Sequence, residues 1–142
     1  MVINQGLIRL ESGAYVMGSA SNTVTVNSGA KLEMYSLYPN VPAWSLILND
    51  GAFFNGAAAA GGNATNVNVW GGPVTLNGKA FLNGTVAGVN WSIPNQISGT
   101  GTLVKCGNSA ATLWLNNTNN TYSGGTIISN GTLYAKYPGS LP

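Results

Sequence analysis

Apolar residues fall in short alternating groups along this chain: Val24 and Val26, Leu46 and Leu48, Val67 and Val69, Leu113 and Leu115. A period of two, with β-branched and aromatic content, predicts strands that bury one face. The three-to-four spacing of a long amphipathic helix is absent. Glycine separates the groups and supplies the backbone angles of tight corners. Two stretches break the pattern and are expected to loop out: residues 35–44, which contain Pro39 and Pro42, and the Ala/Gly tract 56–63.

The punctuation itself repeats. Leu10-Glu11-Ser12-Gly13-Ala14 is followed by Val26-Asn27-Ser28-Gly29-Ala30, Leu48-Asn49-Asp50-Gly51-Ala52 and Ile128-Ser129-Asn130-Gly131-Thr132. Leu76-Asn77-Gly78-Lys79-Ala80 is a version shortened by one residue, and Gly99-Thr100-Gly101-Thr102-Leu103 a looser one. Each reads as a corner: a polar pair turns the chain, glycine takes the strained position, and a small residue starts the next strand. The corner glycines Gly13, Gly29, Gly51, Gly78, Gly101 and Gly131 lie 16, 22, 27, 23 and 30 residues apart, intervals that suit one coil of a solenoid. The expected fold is all-β, a right-handed parallel β-helix (β-solenoid) of about six coils spanning residues 1–142 as one domain. Asn27, Asn49, Asn77 and Asn130 recur beside these glycines, either as a hydrogen-bonded ladder or as independent turn caps.

Composition narrows the function. Charged residues are 6% of the chain, five basic against three acidic, and the net charge is +2. An ordinary domain carries about a quarter, so Asn, Ser, Thr and Gly must supply the polar surface. No basic cluster exists to track phosphates, which argues against nucleic acid. Histidine is absent and Cys106 is the single cysteine, so neither an intrachain disulfide nor a Cys/His metal site is expected. No apolar run reaches the roughly 18 residues of a membrane span. The N-terminus lacks a basic segment followed by a long apolar stretch, and the chain is expected to be a segment of a longer exported protein.

The C-terminal third carries a more specific pattern. Gly99-Thr100-Gly101-Thr102-Leu103-Val104-Lys105-Cys106-Gly107 leads to Leu113-Trp114-Leu115. Asn120-Thr121-Tyr122-Ser123-Gly124-Gly125-Thr126 and Gly131-Thr132-Leu133 follow. Residues 99–135 resemble the autotransporter-associated β-strand repeat, or passenger-associated transport repeat. That family's pattern is Gly-x-Gly-x-Leu-x-Lys-x-Gly, Leu-x-Leu, Asn-x-Tyr-x-Gly-Gly-Thr and Gly-Thr-Leu. Lys105, Gly107, Tyr122, Gly124, Gly125, Thr126 and Leu133 fall on its positions. Ser109 stands where a second glycine is usual, Ala110 and Ala111 read as an insertion, and the stretch Asn116 to Thr121 is about one residue longer than the pattern. The resemblance implies a right-handed β-helix in the passenger of an exported surface protein, with the repeat aiding export and folding.

Candidate chemistry is sparse. A glycosidase needs two carboxylates about 5 to 9.5 Å apart, and only Glu11, Glu33 and Asp50 exist. Serine and threonine abound, but no histidine can activate them. Lys105 beside Cys106 is a combination that can lower a thiol pKa, but the expected role of Cys106 is that of a small strand or corner residue. Asn63, Asn83, Asn90, Asn116, Asn119 and Asn130 begin glycosylation-type triplets, which an Asn- and Thr-rich chain produces by chance. Thr23-Val24-Thr25 resembles an ice-binding spacing but occurs once. Trp44, Trp70, Trp91 and Trp114, with Tyr35, Tyr38, Tyr122 and Tyr137, offer aromatic faces, and Tyr38 and Trp44 near the proline-containing loop are the surface-binding candidates.

The expectation is therefore a non-catalytic, secreted or cell-surface bacterial stalk or display segment, adhesin-like, with no cofactor. Its partners would be a host-surface glycan or protein, or a further copy joined through the solenoid ends. The alternatives are a carbohydrate-binding or carbohydrate-cleaving β-helix and a self-assembling extracellular filament subunit.

Overall fold

The structure, a computed structural model, describes residues 1–11, 19–37, 41–57 and 67–142. Among them every regular element is a strand. The first coil carries β1 (Val2–Ile3) and β2 (Leu7–Glu11), and the second β3 (Thr23–Val26) and β4 (Lys31–Tyr35). The third carries β5 (Ser45–Asn49), β6 (Phe53–Ala57) and β7 (Asn68–Val69). The fourth has β8 (Val74–Asn77), β9 (Lys79–Gly84) and β10 (Asn90–Ile93), and the fifth β11 (Ile97–Gly99), β12 (Thr102–Gly107) and β13 (Thr112–Leu115). A partial coil follows with β14 (Thr126–Ile128) and β15 (Thr132–Ala135).

Strands one coil apart pair in parallel and form three sheets. Sheet A runs β1-β3-β5-β8-β11, sheet B β2-β4-β6-β9-β12-β14 and sheet C β7-β10-β13-β15. The result is a β-solenoid of about five turns. Residues in register form columns, and inward columns are apolar. Val24, Leu46 and Val74 stack in sheet A, and Leu32, Phe54 and Leu82 in sheet B. All six are buried in one hydrophobic cluster that extends from Ile3 to Tyr122.

The corner reading holds on one side only. Gly29, Gly51, Gly78 and Gly101 all turn the chain from sheet A into sheet B. Gly29, Gly51 and Gly78 have φ of +74°, +76° and +122°, a region open to glycine. Gly101 is glycine for another reason: a Cβ there would collide with the Gly78 carbonyl one coil below. Gly131 joins β14 of sheet B to β15 of sheet C, so it belongs to a different corner. The sheet A to sheet B corner of the last coil is made by Gly124 and Gly125, and that of the first coil by Gly6. Gly13 lies outside the described residues. The structure has about five turns where the sequence suggested about six, the last coil being partial.

The asparagines settle in favour of a ladder. Asn27 Nδ2 donates to Asn4 Oδ1 at 2.6 Å, Asn49 to Asn27 at 2.6 Å and Asn77 to Asn49 at 3.2 Å. Asn130 stands apart: its amide donates to the Gly107 carbonyl. A second ladder climbs sheet B, where Arg9 donates to Glu33, Asn55 to Glu33 and Asn83 to Asn55.

The two expected loops are more structured than their composition suggested. Tyr35 ends β4, Gly56 and Ala57 end β6, and Leu37 is buried. Residues 38–40 and 58–66 lie outside the described residues. Asn68, itself buried, ties the two segments: the Leu37 N–H donates to its Oδ1, and its Nδ2 donates to the Ala57 carbonyl. Bulk is balanced across the core. Phe54 packs edge-on against Trp70 and Trp91, each with ring centroids 5.3 Å away. The Trp91 ring occupies the space that a Cβ on Gly56 would need, 2.6 Å from that position.

Gly56→Ala is expected to lower stability by about 1–3 kcal/mol, the usual cost of overpacking a core. Urea unfolding of Gly56→Ala, Trp91→Leu and the double variant would check it; the pair should couple, with the double variant less destabilised than the sum. Asn49→Ala, which removes two ladder bonds, should cost more than Asn77→Ala, which removes one, at about 1 kcal/mol per bond.

Candidate functional site

Asn120, Gly124, Lys105 and Leu133 of the C-terminal motif join one coil to another, while Tyr122, Thr126 and Gly125 shape the corner between them. Asn120 is buried; it accepts from the Ile97 N–H at 2.8 Å and donates to the Ser140 carbonyl at 2.8 Å. The Tyr122 ring is buried and its hydroxyl bonds Thr126 Oγ1 at 2.6 Å. Gly124 lies so close to the Gly101–Thr102 backbone that a Cβ would fall 2.5 Å from the Gly101 carbonyl carbon. Gly125 has φ +79°, so it needs glycine for its conformation. Leu133 stacks on Leu113 and packs against the core.

Lys105 is the unexpected member. Its register puts it between Leu82 and Ile128 in an inward column, and it is fully buried. Its Nζ donates to the carbonyls of Cys106 at 2.8 Å and Asn130 at 3.2 Å, pinning the following corner. Burial lowers the amine pKa from its ordinary 10.5, and the Cys106 thiol opposes this. Cys106 is a free, partly exposed thiol whose pKa burial raises from 9.0, outweighing the pull of Lys105. The adjacent lysine therefore does not produce an activated thiolate.

The three carboxylates are each engaged in the fold. Glu33 is 4% exposed and receives Arg9 Nε at 2.7 Å and Asn55 Nδ2 at 3.4 Å. Glu11 lies 4.0 Å from Arg9 Nη1 on the surface. Asp50 Oδ1 accepts from the Lys79 N–H at 2.8 Å and so caps a corner. The Arg9 guanidinium also sits over the Tyr35 ring, 4.7 Å from its centroid.

Of the two surface-binding candidates, Tyr38 lies outside the described residues. Trp44 is 3% exposed and packs edge-on against Trp70, with centroids 5.9 Å apart, so it belongs to the core rather than to a recognition surface. An inward position on a coil overrides the loop-like sequence around it.

An accessible aromatic surface lies elsewhere, on the outer face of sheet C. Val69, Ser92, Trp114 and Tyr134 form one outward column. Trp114 and Tyr134 lie 4.1 Å apart between centroids, tilted by 42°. Beneath Trp114 the column narrows to the small Ser92, which opens a groove of about 330 Å³ lined by Val67, Val69, Ser92, Trp114 and Asn116. The groove is uncharged. Trp114 Nε1 and Asn116 Oδ1 are shielded from solvent and have no hydrogen-bond partner. Sequence reading named Trp114 among the aromatics but gave Ser92 no role and read Asn116 as part of a chance triplet and of the repeat's long stretch. Their juxtaposition appears only once the coil register is fixed.

No helix among the described residues is long and apolar enough to cross a membrane. Family models, curated proteins and solved structures yield no match to this chain.

Lys105 sets a pH dependence. Its folded pKa lies below the unfolded value of 10.5. As pH rises through the folded pKa toward 10.5, the unfolded chain holds more protons on this amine, so its contribution to stability increases. Cys106 acts in the opposite sense: its contribution is fully present below 9.0 and is lost as pH rises through its folded pKa. In a Cys106→Ser background, the stability of the Lys105 protein relative to Lys105→Met should therefore rise between neutral pH and 10.5. Urea unfolding across that range measures it.

Proposed function

We propose that this chain is a non-catalytic β-solenoid segment of a secreted or cell-surface bacterial protein, a stalk or display scaffold of the adhesin-like passenger kind. The observation that carries the reading is the placement of the motif residues. Asn120, Gly124 and Lys105 all make contacts that lock neighbouring coils together, and Tyr122 braces its own corner through Thr126. Such a coil presents an in-register strand edge on which other coils can stack, and that is the physical content of assisting passenger folding and export. The motif likeness itself rests on those residues alone. The engagement of Glu11, Glu33 and Asp50 in structural contacts supports a non-catalytic role.

Pulse-labelled hydrogen exchange during refolding should protect residues 102–107 and 126–128 before residues 23–26. Gly124→Val should delay protection in all three, and early protection of 23–26 in the unaltered chain would overturn the templating role. Antibodies to the chain should label intact cells that make it; labelling confined to permeabilised cells would contradict surface display. Release of product from a glycan panel, abolished by Glu33→Ala, would overturn the non-catalytic reading.

A second reading, self-assembly end to end, is favoured by one observation. Ile128 continues the inward column above Lys105 yet is 56% exposed, beside Ile127 at 47% on the outermost strand of sheet B. Light scattering of the unaltered chain should then show mass rising with concentration, and Ile128→Lys should restore a monomer.

A further inference from the structure

We propose that the groove on the outer face of sheet C binds one ring of a neutral polysaccharide. The cause of the groove is a missing side chain. Val69, Ser92 and Trp114 stand on three successive strands, so Val69 and Trp114 are separated by two strand spacings, roughly 9.6 Å. Ser92, 5% exposed, fills little of that height. The partly exposed Trp114 indole therefore overhangs a notch with a hydroxyl at its floor and valines at its lower edge.

The lining specifies the occupant. An aromatic ring over an apolar floor suits a flat ligand with one hydrophobic face, and a pyranose presents such a face of C–H groups. The polar groups require a ligand that both accepts and donates. The Trp114 indole N–H is an unpaired donor and the Asn116 amide oxygen an unpaired acceptor; both are shielded from solvent, so a ligand reaches them as the two side chains shift on binding. Trp70 and Trp91 also carry unpaired indole nitrogens, but both lie fully buried in the core. A hydroxyl serves either role, so adjacent sugar hydroxyls match the pair. Asn116 meets them by turning its amide about one broad side-chain torsion. Among the lining residues none is ionisable, so nothing there compensates a charged sugar. The volume of about 330 Å³ lies at the small end of ligand pockets and suits a single ring of a longer chain. Tyr134, 47% exposed and tilted against Trp114, extends the aromatic surface along the column for the neighbouring ring.

The site stands independently of the scaffold reading, since a stalk with or without it would fold and be displayed alike. The test is calorimetric and tryptophan-fluorescence titration of the full chain with cellohexaose, mannohexaose and xylohexaose. Oligogalacturonate serves as a charged probe and an anionic naphthalene dye as an apolar one. At least one neutral oligosaccharide should bind saturably and perturb the tryptophan emission. Ser92→Leu, which fills the notch, and Trp114→Ala should each weaken it about tenfold or more, with an unchanged circular dichroism spectrum. Should Ser92→Leu fail to fold, Asn116→Ala provides the same readout. Binding of none of the three neutral probes, binding of only the charged probe or the dye, or neutral binding that survives both groove variants would overturn the proposal.

Discussion

The structure depends on in-register parallel stacking. Each strand is hydrogen-bonded to the strand one coil away with like facing like, so a side chain's nearest neighbours are the residues at the same phase of the adjacent coils. A column then obeys a single chemical demand. Outward columns resolve it as ladders, with Asn4, Asn27, Asn49 and Asn77 passing hydrogen bonds upward. Inward columns resolve it by apolar packing and by trading bulk across the core, as where Trp91 occupies the space above Gly56. Each ladder bond contributes about 1 kcal/mol, and the repetition makes the sum matter.

Stacking also explains the scarcity of charge. A column of like charges one strand spacing apart would repel at every step. An amide carries both a donor and an acceptor and satisfies its neighbours above and below. Where charge does enter a column, the next coil answers it: Arg9 meets Glu33, and Glu33 meets the Asn55 amide. Lys105 is the extreme case, a buried amine held by two backbone carbonyls rather than by a carboxylate. These two bonds fasten a corner, which gives a physical reason for a lysine at an inward position.

Two kinds of site arise from the same rule. The motif coil is a place where columns are completed, by the Tyr122 ring, by glycines that let backbones touch, and by the Asn120 amide. The groove on sheet C is a place where a column is left incomplete, because Ser92 is small between Val69 and Trp114. Completion gives rigidity, and omission gives a recess on a rigid wall. A solenoid can therefore acquire a recognition surface by one substitution in an outward column without disturbing its core.

The sequence by itself determined the class of fold, the strand alternation and the glycine corners at Gly29, Gly51, Gly78 and Gly101, because period-two patterning and glycine's conformational range are local properties. It also narrowed the asparagine role to a ladder or a cap. What it could not determine was phase around the coil. Gly131 shares its local pattern with the other corners but turns between different sheets, and Trp44, set among prolines, points into the core. Ser92 and Trp114 lie 22 residues apart in the chain and become neighbours only through pairing of β10 with β13. Those outcomes were decided by tertiary structure, since the loop lengths set which residues share a column, and column neighbours decide whether a side chain is buried, bonded or left beside a gap.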